Sequence, residues 1–253
     1  HGAPGQNGDR IFTVNEQIEH KVAFLNGLVA GTWPELKEKD LAKQSNNFVL
    51  MGHSIGAYIS LKVWRRTHKT AVNVTDAFLL MPTICELYKG YSTFNRIVTL
   101  PYVRNAFACL AHYVPRSLLL PIVARVGNQG EKLGEMVSTK IDYYIVMNVT
   151  SMGYEEGATI FEIDDEITAA LNIAQGRAFF IYSPKDPYTP KEIIDDTISK
   201  FPNASITMTD ATIPHAFVIS HTHQVAQIAI SKLLDSEHPE LQASSSMVKS
   251  VAE

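Results

Sequence analysis

A serine between two glycines, Ser54, is the residue whose setting in this sequence most clearly predicts chemistry. It lies in the pentapeptide GHSIG at positions 52–56, directly after the apolar run FVLM at positions 48–51. A G-x-S-x-G pattern between a buried strand and a helix is typical of a nucleophile elbow, a tight turn that pushes the serine hydroxyl into a cleft. The alternative is a serine in an ordinary strand-to-helix turn that takes part in no reaction. The strand and helix patterns on either side favour the elbow.

The neighbours of Ser54 are expected to serve the same turn. Gly52 and Gly56 stand two positions before and after the serine, where we expect a side chain to clash across the tight turn. The backbone N–H of Ile55 begins the following helix, so it is expected to point at a negative charge developing on a carbonyl oxygen. The sequence therefore predicts a nucleophile with one oxyanion donor beside it.

A serine hydroxyl needs a base to take its proton, and the base needs a carboxylate to orient it. In proteins with this elbow the acid and then the histidine follow the serine along the chain. Asp186 lies in a proline-rich loop just after an apolar run at 178–182, and His215 follows the run at 205–208. We therefore predict that Asp186 is the orienting acid and His215 is the general base.

Other carboxylates and histidines have settings that suit other roles. Asp186 itself could be only a turn residue before a proline. The competing carboxylates are Asp164, Asp165, Asp195, Asp196 and Asp210. The remaining histidines are expected to be surface or packing residues: His20, His53, His68, His112, His221, His223 and His238. The closely spaced pair at 221 and 223 would point in different directions on a helix, so no metal site is predicted.

Alternating strand and helix patterns surround these candidates. Apolar runs predict strands at 48–51, 77–81, 178–182 and 205–208, and helices are predicted at 15–31, directly after Ser54, and at 190–200 and 221–234. Asn15 is expected to cap the first helix. This alternation predicts an α/β fold with a doubly wound, mostly parallel sheet. The strand at 48–51 is expected to be buried on both faces.

The stretch between the second and third predicted strands, residues 83–177, is far too long for a simple crossover. We predict that it is a helical lid inserted over the strand ends. Residues 1–82 and 178–235 would then form the core, and residues 236–253 a disordered tail.

Within this insertion, residues 95–126 combine apolar clusters with basic residues. No Asp or Glu occurs from Leu87 to Gly130, whereas five cations do: Lys89, Arg96, Arg104, Arg116 and Arg125. The longest run without a charged residue, Asn105–Pro115, is about half of the ~20 residues that span a bilayer. The segment therefore suits an anchor on a lipid surface. Its alternative role is a lid whose apolar face packs on the core.

Composition limits the remaining classes. The 253 residues are 45% apolar and 19% charged, which is typical of a chain with a packed core. The net charge of −4 gives no reason to expect nucleic acid as a partner. The two cysteines form no disulfide or metal pattern, which favours a reducing compartment. The chain starts without Met or a signal peptide, so we expect sequence to be missing before it.

Taken together, four segments resemble the lipid droplet-associated hydrolase family of the α/β-hydrolase superfamily. They are Gln17–Lys21 (QIEHK), Gly52–Tyr58 (GHSIGAY), Asp186–Glu192 (DPYTPKE) and Ile213–Phe217 (IPHAF). The resemblance runs from about residue 14 to residue 235, and it is the combination of segments that makes it specific. The family's triad would fall on Ser54, Asp186 and His215.

The resemblance implies a serine esterase or lipase type of enzyme that hydrolyses lipid esters, carboxylic or sterol. It also implies a location on lipid droplets and the cytosolic face of the endoplasmic reticulum, and it requires no metal or organic cofactor. Further N-terminal strands and a loop with a second oxyanion donor are implied too, and we expect both to be missing from this chain. The alternatives are a droplet-binding or organising protein with little turnover, and a triad that transfers acyl groups or acts on a non-lipid ester.

Overall fold

A computed structural model describes residues 12–32, 46–115, 117–118 and 143–235. The predictions for the first residues, for much of the 95–126 segment beyond 115, and for the tail at 236–253 lie outside the described residues. So does most of the polar connection before the first strand.

A parallel sheet carries the fold, as predicted. Its strands are β1 (Asn47–His53), β2 (Asn73–Leu80), β3 (Ala178–Tyr182) and β4 (Ser205–Met208), in the order β1-β2-β3-β4. All neighbouring pairs are parallel. β3 and β4 begin and end where the apolar runs do. β1 extends beyond its run at both ends, whereas β2 begins four residues before its run and ends one residue before the run does. The carboxyl ends of all the strands therefore lie at one edge, where ligands of open α/β sheets bind.

Helices precede, connect and follow the strands in the described part of the chain. They are α1 (Val14–Val29), α2 (Ile55–Thr67), α3 (Thr93–Val98), α4 (Pro101–Tyr113), α5 (Tyr143–Thr159), α6 (Asp165–Ala174), α7 (Lys191–Lys200) and α8 (Thr222–Asp235). Short 3-10 turns cover Leu87–Gly90 and Phe217–Ile219.

Alternate side chains of the central strands enter two separate apolar cores, one on each face of the sheet. Leu79 and Phe180 pack with residues of α1, α2, α6 and α7. Phe78 and Ile181 point to the opposite face and pack with residues of α8. Because successive side chains of a strand alternate between faces, this arrangement requires helices on both sides. The sheet is therefore doubly wound, as predicted.

The prediction that the first strand is buried on both faces was wrong for the described residues. Val49 is 44% exposed and Met51 is 60% exposed. β1 stands at the end of the strand order with β2 beside it, and the α8 core does not extend as far as these two side chains. Continuous apolar sequence identified a strand here, but it could not determine which faces neighbouring elements cover.

The cap of α1 also differs from the prediction. Thr13, not Asn15, is the N-cap, and it forms a capping box with Glu16. The Thr13 hydroxyl accepts from the Glu16 N–H at 3.1 Å, while the Glu16 carboxylate accepts from the Thr13 N–H at 2.9 Å. Asn15 lies inside the first turn and accepts a hydrogen bond from Arg66 on α2. Two orphan backbone donors are thus satisfied by a cap that lies two residues earlier than expected.

The long stretch between β2 and β3 divides into parts with different packing. α6 belongs to the core, because Ile167, Ala170 and Leu171 are buried in the same apolar cluster as β2 and β3. α4 and α5 instead pack on each other, with Ala108 and Val146 buried between them. A lid, if this stretch forms one, would therefore comprise the residues before α6.

Candidate active site

Ser54 occupies a strained turn between the end of β1 and the start of α2. Its backbone angles are φ 56° and ψ −123°, a combination that a residue with a side chain rarely adopts. The Ser54 N–H donates to the carbonyl oxygen of Leu80 at 3.0 Å, which ties the turn to the end of β2. The next residue, Ile55, is the first residue of α2, so its N–H lies at a helix N-terminus.

The two glycines of the motif have different roles. A Cβ at Gly52 would overlap the backbone of Gly56 and lie 2.6 Å from the backbone nitrogen of Ala57, so only glycine fits there. A Cβ at Gly56 would meet no described atom within 4 Å. The expected clash at Gly56 is therefore wrong as regards the described residues. The reason is that the backbone at the start of α2 lies against Gly52, whereas the space beside Gly56 is open among the described residues.

Three predicted side chains, 29 to 161 positions apart, form one hydrogen-bonded chain. The Oγ of Ser54 lies 2.9 Å from Nε2 of His215, and Nδ1 of His215 lies 2.6 Å from Oδ2 of Asp186. With Nδ1 protonated toward the carboxylate, Nε2 is free to accept the serine proton. This geometry is what proton transfer from Ser54 to His215 requires.

The Asp186 carboxylate is held from both sides. Its second oxygen, Oδ1, accepts from the backbone N–H of Tyr188 at 2.8 Å, and its side chain is fully buried. The loops that carry Asp186 and His215 are joined by the Ser183 hydroxyl, which donates to the carbonyl oxygen of Ile213 at 2.6 Å. The acid and the base are therefore fixed relative to each other by contacts outside the hydrogen-bonded chain itself.

The competing carboxylates make other contacts. Asp164 caps α6 and pairs with Lys62. Asp195 and Asp196 form ion pairs along α7 with Lys191 and Lys200. Of the remaining two, Asp210 accepts from a backbone N–H two residues on, and Asp165 lies in the first turn of α6. All of these contacts are structural, and they leave Asp186 as the described carboxylate that reaches His215.

His53 has a contact that the sequence analysis missed. Its Nε2 lies 2.8 Å from the backbone carbonyl oxygen of His215, and its ring lies 5.0 Å from the rings of His215 and Phe217. A carbonyl can only accept, so Nε2 of His53 must carry the proton. Burial, together with the nearby His215, lowers the pKa of His53 and favours its neutral form. No local signal could have shown this, because the partners are 162 positions apart.

Ser54 and His215 open onto a cavity of about 280 Å³. Its other walls come from the 3-10 turn, α3, α5 and the Asp186 loop. The lining residues besides Ser54 and His215 are Leu87, Tyr91, Asn95, Val98, Thr99, Val149, Thr150, Gly153, Glu156 and Tyr188. The serine hydroxyl thus faces a space with mixed apolar and polar walls, as a site for a small ligand requires.

Two further kinds of feature are absent from the described part of the chain. There, no three His, Cys, Asp or Glu side chains come together in a way that could hold a metal ion. Nor is any helix of that part long and apolar enough to cross a membrane.

The parallel doubly wound sheet, the strained serine elbow and the order serine, acid, histidine together define an α/β-hydrolase. Solved structures have the same fold. A haloalkane dehalogenase mutant from Agrobacterium tumefaciens superposes with a TM-score of 0.64 at 13% identity, over 91% of this chain and 77% of that chain. A carboxylesterase structure from Nitrososphaera gargenis gives a TM-score of 0.55 at 16% identity, over 88% and 72%. At such low identity these likenesses concern the fold alone.

Sequence comparison identifies the family. Residues 2–218 match the family described as Lipid-droplet associated hydrolase. A lipid droplet-associated hydrolase from Dictyostelium discoideum is 34% identical over 226 residues, which are 89% of this chain and 72% of that protein. The human protein of the same name is 31% identical over 237 residues, 89% of this chain and 65% of that protein. This chain belongs to the lipid-droplet associated hydrolase family, and it spans about two thirds of the length of these relatives.

Proposed function

We propose that this chain carries the catalytic centre of a serine hydrolase that cleaves lipid esters at the surface of lipid droplets. The observation that carries the proposal is the continuous hydrogen-bonded chain from Ser54 through His215 to Asp186. A serine held in a strained turn and bonded to an oriented histidine has no evident structural purpose. Family membership supports a hydrolase, and the family's name supports a lipid setting.

The proposed reaction has two halves. His215 Nε2 takes the Ser54 proton while Oγ attacks the ester carbonyl, and the N–H of Ile55 stabilises the resulting oxyanion. His215 then gives the proton to the alcohol oxygen, the C–O bond breaks, and an acyl-serine remains. Water, deprotonated by His215, attacks this second ester, and the carboxylic acid leaves as Ser54 regains its proton. Asp186 holds the imidazole in the reacting tautomer throughout.

The proposal places α3 and α4 against the lipid as part of a lid. Large apolar side chains there are exposed: Tyr102 by 94%, Tyr113 by 82% and Leu110 by 61%. A lid whose apolar face packed on the core would bury such residues, so their exposure supports the lipid-surface role over the alternative stated above.

Charge supports this surface less than the sequence suggested. Lys89 forms an ion pair with Glu86, and Arg96 donates to the carbonyl oxygens of Tyr88 and Tyr91. Both cations therefore also serve the protein's own structure. Apolar contact, rather than attraction to anionic lipid, is expected to dominate binding.

Covalent labelling tests the catalytic half of the proposal. A fluorophosphonate probe reacts with serines that a neighbouring base activates, and mass spectrometry locates the adduct. We expect an adduct on Ser54, none in Ser54→Ala, and strongly reduced labelling in His215→Gln. If folded wild-type protein is not labelled, the hydrolase proposal fails, and the alternative of a droplet-binding protein with little turnover is favoured.

Flotation with artificial triacylglycerol droplets tests the lipid-surface half. Replacing Tyr102 and Leu110 together by serine should release the protein from the droplets. A matched control makes the same serine replacements at Ile198 and Ile230, which are exposed on α7 and α8. It should bind the droplets and float with them as the wild type does. Equal flotation of both double variants would contradict a lipid contact through α4. Location on the endoplasmic reticulum stays a prediction that imaging of the full-length protein would check.

A further inference from the structure

Glu156 is a polar residue of the cavity that the reaction above does not use. It lines the same cavity as Ser54 and His215, and it is half-buried on α5. Among the described residues, no hydrogen bond or ion pair joins its carboxyl to another side chain. Burial first, and then repulsion from Glu155, raise the pKa of Glu156 to about 7. A half-buried carboxyl in this position can form hydrogen bonds with water or with a ligand in the cavity.

Close packing holds Glu156 in place. The Tyr91 hydroxyl donates to the carbonyl oxygen of Gly153, one turn earlier on α5, at 2.8 Å. A Cβ at Gly157 would lie 2.8 Å from the Tyr88 ring, so a larger residue there would force that ring or α5 to shift. Glu156 lies between these two contacts, and its position relative to the cavity is therefore fixed by its neighbours rather than by its own bonds.

The chemistry of the cavity wall limits what the partner can be. Among the described residues, no Lys or Arg lines the cavity, so none of their side chains carries a permanent positive charge to neutralise a carboxylate or phosphate placed near Glu156. A hydroxyl group fits instead: it can accept from a neutral carboxyl, donate to an ionised one, and share the phenol oxygens of Tyr91 and Tyr188. An alkyl group in the same place would displace water from Glu156 and leave it unpaired.

We propose that Glu156 is a specificity-determining residue that selects esters whose alcohol part keeps a free hydroxyl, such as partial acylglycerols. The carboxyl hydrogen-bonds that hydroxyl while the ester carbonyl lies at Ser54. This inference rests on the proposed function and narrows its substrate class. It predicts a lower kcat/KM for esters of the same acid with a plain alkyl alcohol. Such an alcohol would displace water from Glu156 and offer it no hydrogen-bond partner.

The test compares two esters that differ only in hydroxyl groups, glyceryl monobutyrate and propyl butyrate, by kcat/KM. Wild-type protein should favour the glyceryl ester. Glu156→Leu should lower this preference about tenfold or more, the size expected for losing one hydrogen bond and its unpaired partner. Glu156→Gln keeps the shape and a hydrogen-bonding amide, so it should retain the preference within about threefold.

Glu155→Gln is the matched control. Glu155 is the preceding residue on α5, but its carboxylate accepts from the N–H of Val14 at 2.8 Å and points at α1 instead. This variant should keep the wild-type preference. If wild type hydrolyses both esters and Glu156→Leu keeps the same ratio, the role of Glu156 is refuted and the hydrolase proposal survives. If wild type hydrolyses neither ester, this inference fails, and fluorophosphonate labelling of Ser54 then decides whether the hydrolase proposal survives.

Discussion

Replacing His53 by phenylalanine would remove the hydrogen bond that holds the loop of the proposed general base. Phenylalanine keeps an aromatic ring against Phe217, which the histidine ring contacts at a centroid distance of 5.0 Å. It cannot donate to the carbonyl oxygen of His215, which the Nε2 atom of His53 reaches at 2.8 Å. Packing is thus largely preserved while one donor is lost. His53→Gln supplies an amide N–H and serves as the rescuing variant.

The expected magnitude follows from that single contact. A neutral hydrogen bond contributes about 0.5–1.5 kcal/mol to the free energy of unfolding, and a carbonyl left unpaired adds about 1–3 kcal/mol. For a chain of this size each kcal/mol shifts Tm by about 2–4 °C. We expect a loss in kcat as well, because a shift of about 1 Å in a reacting group can cost about a hundredfold. His215 Nε2 lies 2.9 Å from Ser54 Oγ and has little room to move.

Two measurements separate these effects: thermal unfolding, and the rate of Ser54 labelling by a fluorophosphonate at a temperature where every variant is folded. We expect His53→Phe to label about tenfold to a hundredfold more slowly, and His53→Gln to recover most of the rate. Labelling of the folded phenylalanine variant at the wild-type rate would refute a positioning role. The lowered pKa of His53 adds a pH signature. The contribution of neutral His53 to the free energy of unfolding is present above about pH 6.5 and declines as pH falls through the folded-state pKa of His53. The phenylalanine variant should lack that decline.

Three further predictions concern the acid, the elbow and the ion pairs. Asp186→Asn should leave the fold intact but lower kcat about 10⁴-fold, because the amide favours the wrong imidazole tautomer; a loss under tenfold in ester hydrolysis would contradict its role. Gly52→Ala should destabilise the protein by about 3 kcal/mol or more, since its Cβ overlaps helix backbone. Gly56→Ala, the matched control, should be neutral or stabilising by up to about 1 kcal/mol in urea unfolding. The Arg66 hydrogen bond lowers the pKa of Glu166 to about 2 against the effect of burial, so Glu166 contributes stability above about pH 4.5 that disappears as pH falls toward 2. Glu166→Gln should therefore lower Tm at neutral pH but not at pH 2, and an equal loss at both would show that charge is not the cause.

Residues of the proposed triad could be predicted because each has a local signature. Ser54 stands in a five-residue motif, and Asp186 and His215 each follow an apolar run that ends at the same edge of a parallel sheet. Chain order then assigned the roles. Two other polar residues of the site, His53 and Glu156, have no such signature. What makes each of them notable is a contact or a cavity formed by segments far away in the sequence.

Local sequence alone determined the parallel doubly wound sheet, the bounds of β3 and β4 and the turn that holds Ser54, the proposed nucleophile, because apolar periodicity and turn geometry depend on near neighbours. Only the tertiary structure decided that one face of β1 is open among the described residues. It also decided that Gly52 rather than Gly56 is sterically constrained, and that Glu156 lines the same cavity as Ser54. Each of these depends on which backbone or side chain approaches from another element. Such approaches result from the packing of the whole fold, which no stretch of sequence encodes by itself.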